Sequence, residues 1–401
     1  MKWIDGGVCA PRGFAAAGVR AGIKQQGLDV ALVVADRPCT AAGVFTQNAF
    51  ISPAARYSRE VVRCGKPVVA TFGNSGCANA CTGPEGEQDL QAIVNTVKQA
   101  LARHRPGLVG EVLAAQTGII GVRLFPERMA QPIDEAVAKA GPEGWQDAAR
   151  AIMTTDTRPK ACAVEAQIEG RAVHIGGMAK GSGMIAPNMA TMHVYLTTDI
   201  AAQAAILQPL LGDVVGRSFN TISVDGDGST SDCVLMLANG AAGAALSEAN
   251  RSALAEALNA VCERLARELV ADGEGATRVI EVRVTGARTD ADAALGARAI
   301  AESLLVKTAV FGGDPNWGRI AAALGRSGAE VDPYRTTIRV GDVLLFESGA
   351  PTAFDRASAE AAVRCDEVVI AVDLGLGEGA SRMLSCDLSY DYVRINAEYH
   401  T

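Results

Sequence analysis

Thr191 has the surroundings of a residue that could be turned into a nucleophile. It stands where a small-residue loop, Lys180-Gly-Ser-Gly-Met-Ile-Ala-Pro-Asn-Met-Ala190, meets a β-branched and aromatic run that reads as a strand from Met192. A neutral hydroxyl is a weak nucleophile. One remedy is to make the threonine an N-terminus by cutting the chain before it, so that its own α-amine becomes the adjacent base. A free α-amine titrates near pH ~8, so a useful fraction is unprotonated at neutral pH. An ordinary strand threonine is the other reading of the same residues.

Other stretches also carry chemistry. The run Glu111 to Gln116 reads as a strand ending at Thr117-Gly118, and such an end can turn backbone N–H groups outward as an oxyanion hole does; a plain strand-to-loop turn is the alternative. Asp225 and Asp227, after a short apolar segment and before Gly228-Ser229, imitate a phosphotransfer loop in which one carboxylate attacks phosphate and both hold Mg²⁺. An EF-hand is excluded there because the twelfth position from Asp225 is Met236. Glu274 sits in a glycine-flanked turn and is either solvated or faces a cationic ligand. Cys77 and Cys81 have metal-like spacing but no second pair, and the four histidines are too scattered for a zinc site.

The elements that must hold these residues alternate between strand and helix through both halves. Strands are expected at Val30 to Val34, Pro67 to Thr71, Arg278 to Val284 and Glu367 to Asp373, with hairpins at Val164 to Ile175 and Thr336 to Phe346. Thr82 and Glu85 predict a capping box, with Pro84 in the first turn of a helix running to about Arg103. Residues 125–150 and 252–270 and the run Ala299 to Val310 read as further helices. Met153 to Arg158 reads as a surface turn. The class is α/β or α+β, with no obvious domain break.

Composition bounds the rest. The 401 residues are 49% hydrophobic and 20% charged, which is globular, and with 43 glycines and only 4% aromatics the core must be built from small and branched aliphatic side chains. A formal charge of −8 argues against nucleic acid or an anionic membrane as main partner. The start lacks the apolar region of a signal peptide, and the longest apolar stretch, near Val234 to Leu246, is too short to span a bilayer. Ten cysteines without a secretory signal read as reduced thiols, so the expected location is the cytoplasm.

Several segments together resemble one family, the ornithine acetyltransferases of cyclic arginine biosynthesis. They are Gly6-Gly-Val-Cys-Ala-Pro-Arg-Gly-Phe, Asn74-Ser-Gly-Cys-Ala-Asn-Ala-Cys-Thr-Gly, Gln116-Thr-Gly-Ile-Ile-Gly, Met153-Thr-Thr-Asp-Thr, Lys180 through Thr191, Ser223-Val-Asp-Gly-Asp, Lys307 through Arg319 and Asp391-Tyr-Val-Arg-Ile-Asn-Ala-Glu-Tyr. They occur in the family's order over nearly the whole chain.

The resemblance implies an N-terminal-nucleophile-like fold of the DmpA and ornithine acetyltransferase type, with stacked β-sheets flanked by helices. It implies self-cleavage between Ala190 and Thr191, giving an α chain of residues 1–190 and a β chain of residues 191–401, interwoven into one catalytic unit. Thr191 would carry acetyl from N-acetylornithine to glutamate by a ping-pong route, with Thr117 and Gly118 as the oxyanion pair. Substrate contacts would be Thr154, Lys180, Thr191, Glu274, Asn396 and Thr401, with Thr155 an alternative to Thr154. Many members also accept acetyl-CoA. No metal or organic cofactor is implied, and the assembly would be an α2β2 heterotetramer. An amidase or peptidase on the same scaffold is the alternative activity. Two positions depart from the family's pattern: His193, where an apolar residue is commoner and which reads as a strand side chain facing solvent or a polar core neighbour rather than as a proton-transfer group, and the thiols Cys77 and Cys81 in the small-residue loop.

Overall fold

The computed structural model describes residues 1–186 and 192–398. The described residues form two compact units, one within residues 1–220 and 227–269, the other within residues 221–226 and 270–398. No glycine- or proline-rich linker in the sequence announces this division.

The first unit is built on nine strands: β1 (Lys2–Ile4), β2 (Phe14–Val19), β3 (Val30–Phe45), β4 (Val68–Asn74), β5 (Glu111–Gln116), β6 (Lys160–Ile168), β7 (Arg171–Lys180), β8 (His193–Thr198) and β9 (Cys233–Ala238). Their order is β1-β6-β7-β8-β9-β3-β4-β5, with β2 also on β3. The 16-residue β3 reaches far beyond the five residues its apolar run predicts. Its first half pairs with β2 and β4 and its second half with β9. Between them the register shifts, and Asp36, Arg37 and Pro38 lie exposed there, where a proline costs no ladder bond.

The two halves of this sheet stack. Residues of β2 and β3 (Phe14, Ala31, Val33) share one buried cluster with residues of β7, β8 and β9 (Met178, Tyr195, Leu235). The faces approach so closely at Gly73 that a Cβ there would lie 2.3 Å from the Tyr195 hydroxyl, so this position needs glycine. Helices α1 (Pro53–Arg63), α2 (Gly83–His104), α3 (Ala130–Lys139), α4 (Trp145–Ala151), α5 (Ala204–Arg217) and α6 (Arg251–Ala271) accompany the sheet. On α2 the predicted stripe Leu90, Ile93, Val94, Val97 and Leu101 is buried, as is Leu254, Leu258, Val261, Leu265 and Leu269 on α6.

The second unit holds a six-stranded sheet of β10 (Val279–Ala287), β11 (Thr337–Val340), β12 (Val343–Glu347), β13 (Ala350–Pro351), β14 (Glu367–Asp373) and β15 (Gly379–Cys386), ordered β13-β12-β11-β14-β10-β15. With it go α7 (Asp290–Ala301), α8 (Leu304–Gly312), α9 (Trp317–Gly325), α10 (Arg356–Val363) and α11 (Tyr390–Glu398). The mixed α/β class with stacked sheets is as expected.

Local readings fail where a nearby polar group competes. Thr82 precedes α2 but makes no cap, because its hydroxyl donates to the Asn79 carbonyl at 3.0 Å. The helix predicted over 125–150 is two helices, separated at Ala140-Gly-Pro, where proline cannot continue the turn. The one predicted over 299–310 breaks at Ser303, whose side chain caps a new helix by accepting from Val306 N–H. Trp317 opens a helix: Asn316 caps α9, and Trp317 stacks on Phe346 with centroids 5.2 Å apart.

Candidate active site

In the first unit, β4 and β5 run parallel and end side by side at Asn74 and Gln116. The loops leaving them are zipped together, with Ala78 N–H donating to Ile119 O at 3.0 Å and Gly121 N–H to Ala80 O at 2.8 Å. Gly118 sits in this junction with φ +127, and a Cβ on it would lie 2.3 Å from the Gly76 carbonyl carbon, so no other residue fits. The Gly118 N–H has no partner among the described residues. Thr117 differs from expectation. Its N–H turns inward to the Asn74 carbonyl at 3.1 Å, so only its hydroxyl is left to stabilise an oxyanion. That hydroxyl accepts from Lys180 Nζ at 3.3 Å, which leaves its own hydrogen for another acceptor.

Lys180 is the last residue of β7 and is buried. The segment around it is organised by Asp156. One oxygen of this buried carboxylate accepts from Lys160 Nζ at 2.6 Å and from Gly181 N–H at 2.7 Å; the other accepts from Thr154 N–H at 3.0 Å. Burial opposes ionisation of Asp156, but Lys180, Lys160 and the Gly181 amide together outweigh it and hold the carboxyl below its ordinary value. The surface turn read from Met153 to Arg158 is thus corrected at Asp156, since Asp156 and Lys160 form an ion pair with both side chains fully buried. Lys24 enters from another loop, donating to the Met153 carbonyl at 2.8 Å; burial pulls its ammonium down, partly offset by Asp29 and Asp156.

On the other side of Lys180, His193 pairs with it in the β7–β8 register and is buried, which leaves the polar core side of its strand reading. Its Nε2 lies 3.1 Å from the Ser231 carbonyl, so Nε2 carries the hydrogen and Nδ1 is a bare acceptor with no partner among the described residues. Burial first, and Lys180 second, push the imidazole down to about 3, so it is neutral at physiological pH. Asp232, fully buried just before β9, accepts from Met192 N–H through Oδ1 at 2.9 Å, while Oδ2 has no partner among the described residues. Burial raises this carboxyl well above the usual range, against the Met192 and Ser229 amides and Lys180.

In the second unit the structure brings together Glu274 and Asn396: Asn396 Nδ2 donates to Glu274 Oε2 at 2.8 Å. Ser389 Oγ donates to the Gly275 carbonyl at 2.6 Å and ties the start of α11 to the Glu274 turn. Ala190, Thr191 and Thr401 lie outside the described residues.

The phosphotransfer reading loses its scaffold. No strand precedes Asp225; Ile222 makes only an isolated bridge to Leu384. Cys77 is a buried thiol donating to the Val122 carbonyl at 3.2 Å, which accounts for it as packing. Sequence reasoning missed Asp156, Lys160 and Asp232 as members of the site. The one available signal was for Asp232, a carboxylate set against the uninterrupted apolar strand Cys233–Ala238.

Comparison with known proteins gives a consistent picture. The profile of the ArgJ family matches residues 15–401. The chain is 50% identical, over 100% of both chains, to the arginine biosynthesis bifunctional protein ArgJ of Symbiobacterium thermophilum. It is 43% identical, again over 100% of both, to the glutamate N-acetyltransferase of Methanocaldococcus jannaschii. Among solved structures, a chain of the bifunctional protein argJ from Bacillus halodurans is 42% identical with a TM-score of 0.50, covering 51% of this chain and 98% of its own length.

Proposed function

The chain belongs to the ArgJ family, and from that premise we propose that it is an acetyltransferase of arginine biosynthesis that carries acetyl from N-acetylornithine to glutamate on Thr191. The observation that carries this reading is the cluster of Thr117 hydroxyl, Gly118 N–H and Lys180 at the end of β7, the strand that leads directly into the 180–191 loop.

In the precursor, the Thr191 hydroxyl attacks the Ala190 carbonyl. The C–N bond breaks, the nitrogen keeps the hydroxyl proton, and water opens the resulting ester. Two observations support this cut. The strands flanking the loop, β7 and β8, are antiparallel neighbours from Ile175–Thr198 to Lys180–His193, so the pieces stay joined by sheet hydrogen bonds after scission. And one nearly whole solved chain of a relative, 98% covered, corresponds to only 51% of this one.

In the mature enzyme the Thr191 amine takes the hydroxyl proton as Oγ attacks the acetyl carbonyl. The Thr117 hydroxyl and Gly118 N–H stabilise the oxyanion, where losing one donor typically costs about 10²–10³ in rate. Ornithine leaves with the proton, and the amine of glutamate then takes the acetyl group from the ester. Lys180 is read as the partner of the substrate α-carboxylate and Thr154 as a neighbouring contact. Glu274, whose carboxylate is fixed by Asn396, is read as the partner of the ornithine ammonium, with Asn396 and Thr401 as further contacts. Acetyl-CoA is the second donor to be assayed, and α2β2 is the assembly this reading takes.

The test is an acetyl-transfer assay with each donor in turn. Transfer from N-acetylornithine to glutamate, abolished in Thr191→Ala, is the expected result. Hydrolysis of N-acetylornithine with no acetylglutamate formed would replace this reading by an amidase.

A further inference from the structure

Lys24 stands beside the site and belongs to no part of the mechanism above. It lies on the loop between β2 and β3, and Asp29 fixes that loop: this fully buried carboxylate accepts from Ile23 N–H at 2.7 Å, Lys24 N–H at 3.1 Å and Ala21 N–H. The side chain leaves this frame along Gly76. A Cβ on Gly76 would lie 2.8 Å from Lys24 Cγ, and a Cβ on Gly118 would lie 2.3 Å from the Gly76 carbonyl carbon. The lysine stem therefore packs on the turn against which Gly118 is held. Its tip donates to the Met153 carbonyl at 2.8 Å, one residue before Thr154.

This half-buried ammonium is poorly served. Of its three hydrogens the Met153 carbonyl takes one, and among the described residues Lys24 makes no ion pair. The carboxylates in range are occupied, Asp156 by Lys160, Gly181 N–H and Thr154 N–H, and Asp29 by the amides of its own loop. Burial works against the charge on Lys24 and Lys180 adds to that, with Asp29 and Asp156 opposing them. Three ammoniums, Lys24, Lys160 and Lys180, thus share two carboxylates, since burial keeps Asp232 and His193 neutral. A desolvated cation in a site with surplus positive charge is completed by an anion.

N-acetylornithine and glutamate both carry an α-carboxylate, which Lys180 is read to hold. They differ at the far end, where one has an ammonium and the other a second carboxylate. We propose that Lys24 is the specificity-determining residue for the acetyl acceptor, its ammonium pairing with the side-chain carboxylate of glutamate. The inference rests on the reaction proposed above and deepens it. Lys24 has no such pair to make with N-acetylornithine, so its effect falls on the half of the reaction in which glutamate takes the acetyl group.

The test compares glutamate with glutamine, which has the same length and no side-chain charge, as acetyl acceptors. Wild type should prefer glutamate. Lys24→Met keeps the stem on Gly76 and removes the charge, and it should lower the ratio of kcat/KM for glutamate over that for glutamine by about tenfold or more. An equal fall for both acceptors, which a mere tie to Met153 would give, overturns the proposal, as does a wild type indifferent to the two. Should Lys24→Met fail to fold, NMR of wild type labelled at its lysine side chains decides. Saturating glutamate should then shift one more lysine signal than saturating glutamine does; identical sets of shifted signals overturn the proposal. Wild type that transfers acetyl from N-acetylornithine to neither acceptor fails the proposed reaction itself, and this inference with it. Transfer with an unchanged acceptor ratio in Lys24→Met fails this inference alone.

Discussion

The two units of this protein treat buried polar groups in opposite ways. All nine buried side-chain atoms without a hydrogen-bond partner among the described residues, from Tyr57 Oη to Asn259 Oδ1, lie in the first unit. Five of them, Thr71 Oγ1, Asn74 Oδ1, Gln116 Nε2, His193 Nδ1 and Asp232 Oδ2, sit on or next to the strands that carry Thr117, Lys180 and Met192. In the second unit the buried Lys307 is fully served: its Nζ donates to Ser385 Oγ at 3.0 Å and to the Cys386 carbonyl, while Asp387 accepts from Thr277 N–H at 2.7 Å and Arg278 N–H at 3.0 Å. Satisfied networks make rigid frames, and unsatisfied ones are places where a protein spends stability on function. The contrast sets unpaired buried polar atoms in the first unit against a served network around Lys307 and Asp387 in the second.

The contrast breaks most visibly at Asp156. Replacing it by Asn leaves Lys160 charged in a fully buried site, and stability should fall by about 3–5 kcal/mol in denaturant unfolding. Lys307→Met, which removes a charge but strands only neutral partners, should cost less, on the order of 1–3 kcal/mol. Equal losses would mean that breaking the buried ion pair of the first unit costs no more than breaking the neutral network of the second.

Gly118→Ala comes next. The added methyl meets the Gly76 backbone, so the turn proposed to hold the oxyanion must shift, and kcat should drop by about 10²–10³. Near-wild-type turnover would remove Gly118 from the site.

The smallest effect is one of pH. The unfolded His193 binds a proton below its ordinary 6.5, whereas the folded one resists until about 3, so stability present above pH 6.5 is lost as pH falls through that window. Each unit of pH is worth about 1.4 kcal/mol, giving a loss of about 2 kcal/mol from pH 6.5 to 5. His193→Val should flatten this slope in thermal melts at the two pH values; an unchanged slope would mean that the buried imidazole is not its source.

The legibility of the sequence follows the same division. Glu111–Gln116 and Glu367–Asp373 are strands residue for residue, because each is an apolar run closed by a turn. Caps and breaks were harder. Thr82 was claimed by Asn79, which holds a left-handed φ of 47, and Ser303 started a new helix inside an apparently continuous one. Within the site, Thr117, Gly118 and Lys180 carry weak local signals that gain force only together with the family resemblance. Asp156 and Lys160 carry none, since burial of a charge is decided by strands far away in sequence, and Asp232 carries only its place against the apolar strand Cys233–Ala238. The pairing of Lys180 with His193 became visible only once β7 and β8 were side by side.

The central claim is that Thr191 becomes the start of a polypeptide. Purified wild-type protein, incubated and weighed under denaturing conditions, should give two chains, one of them beginning Thr-Met-His-Val. A single species at the full 41.4 kDa, in protein that nonetheless turns over substrate, would contradict it.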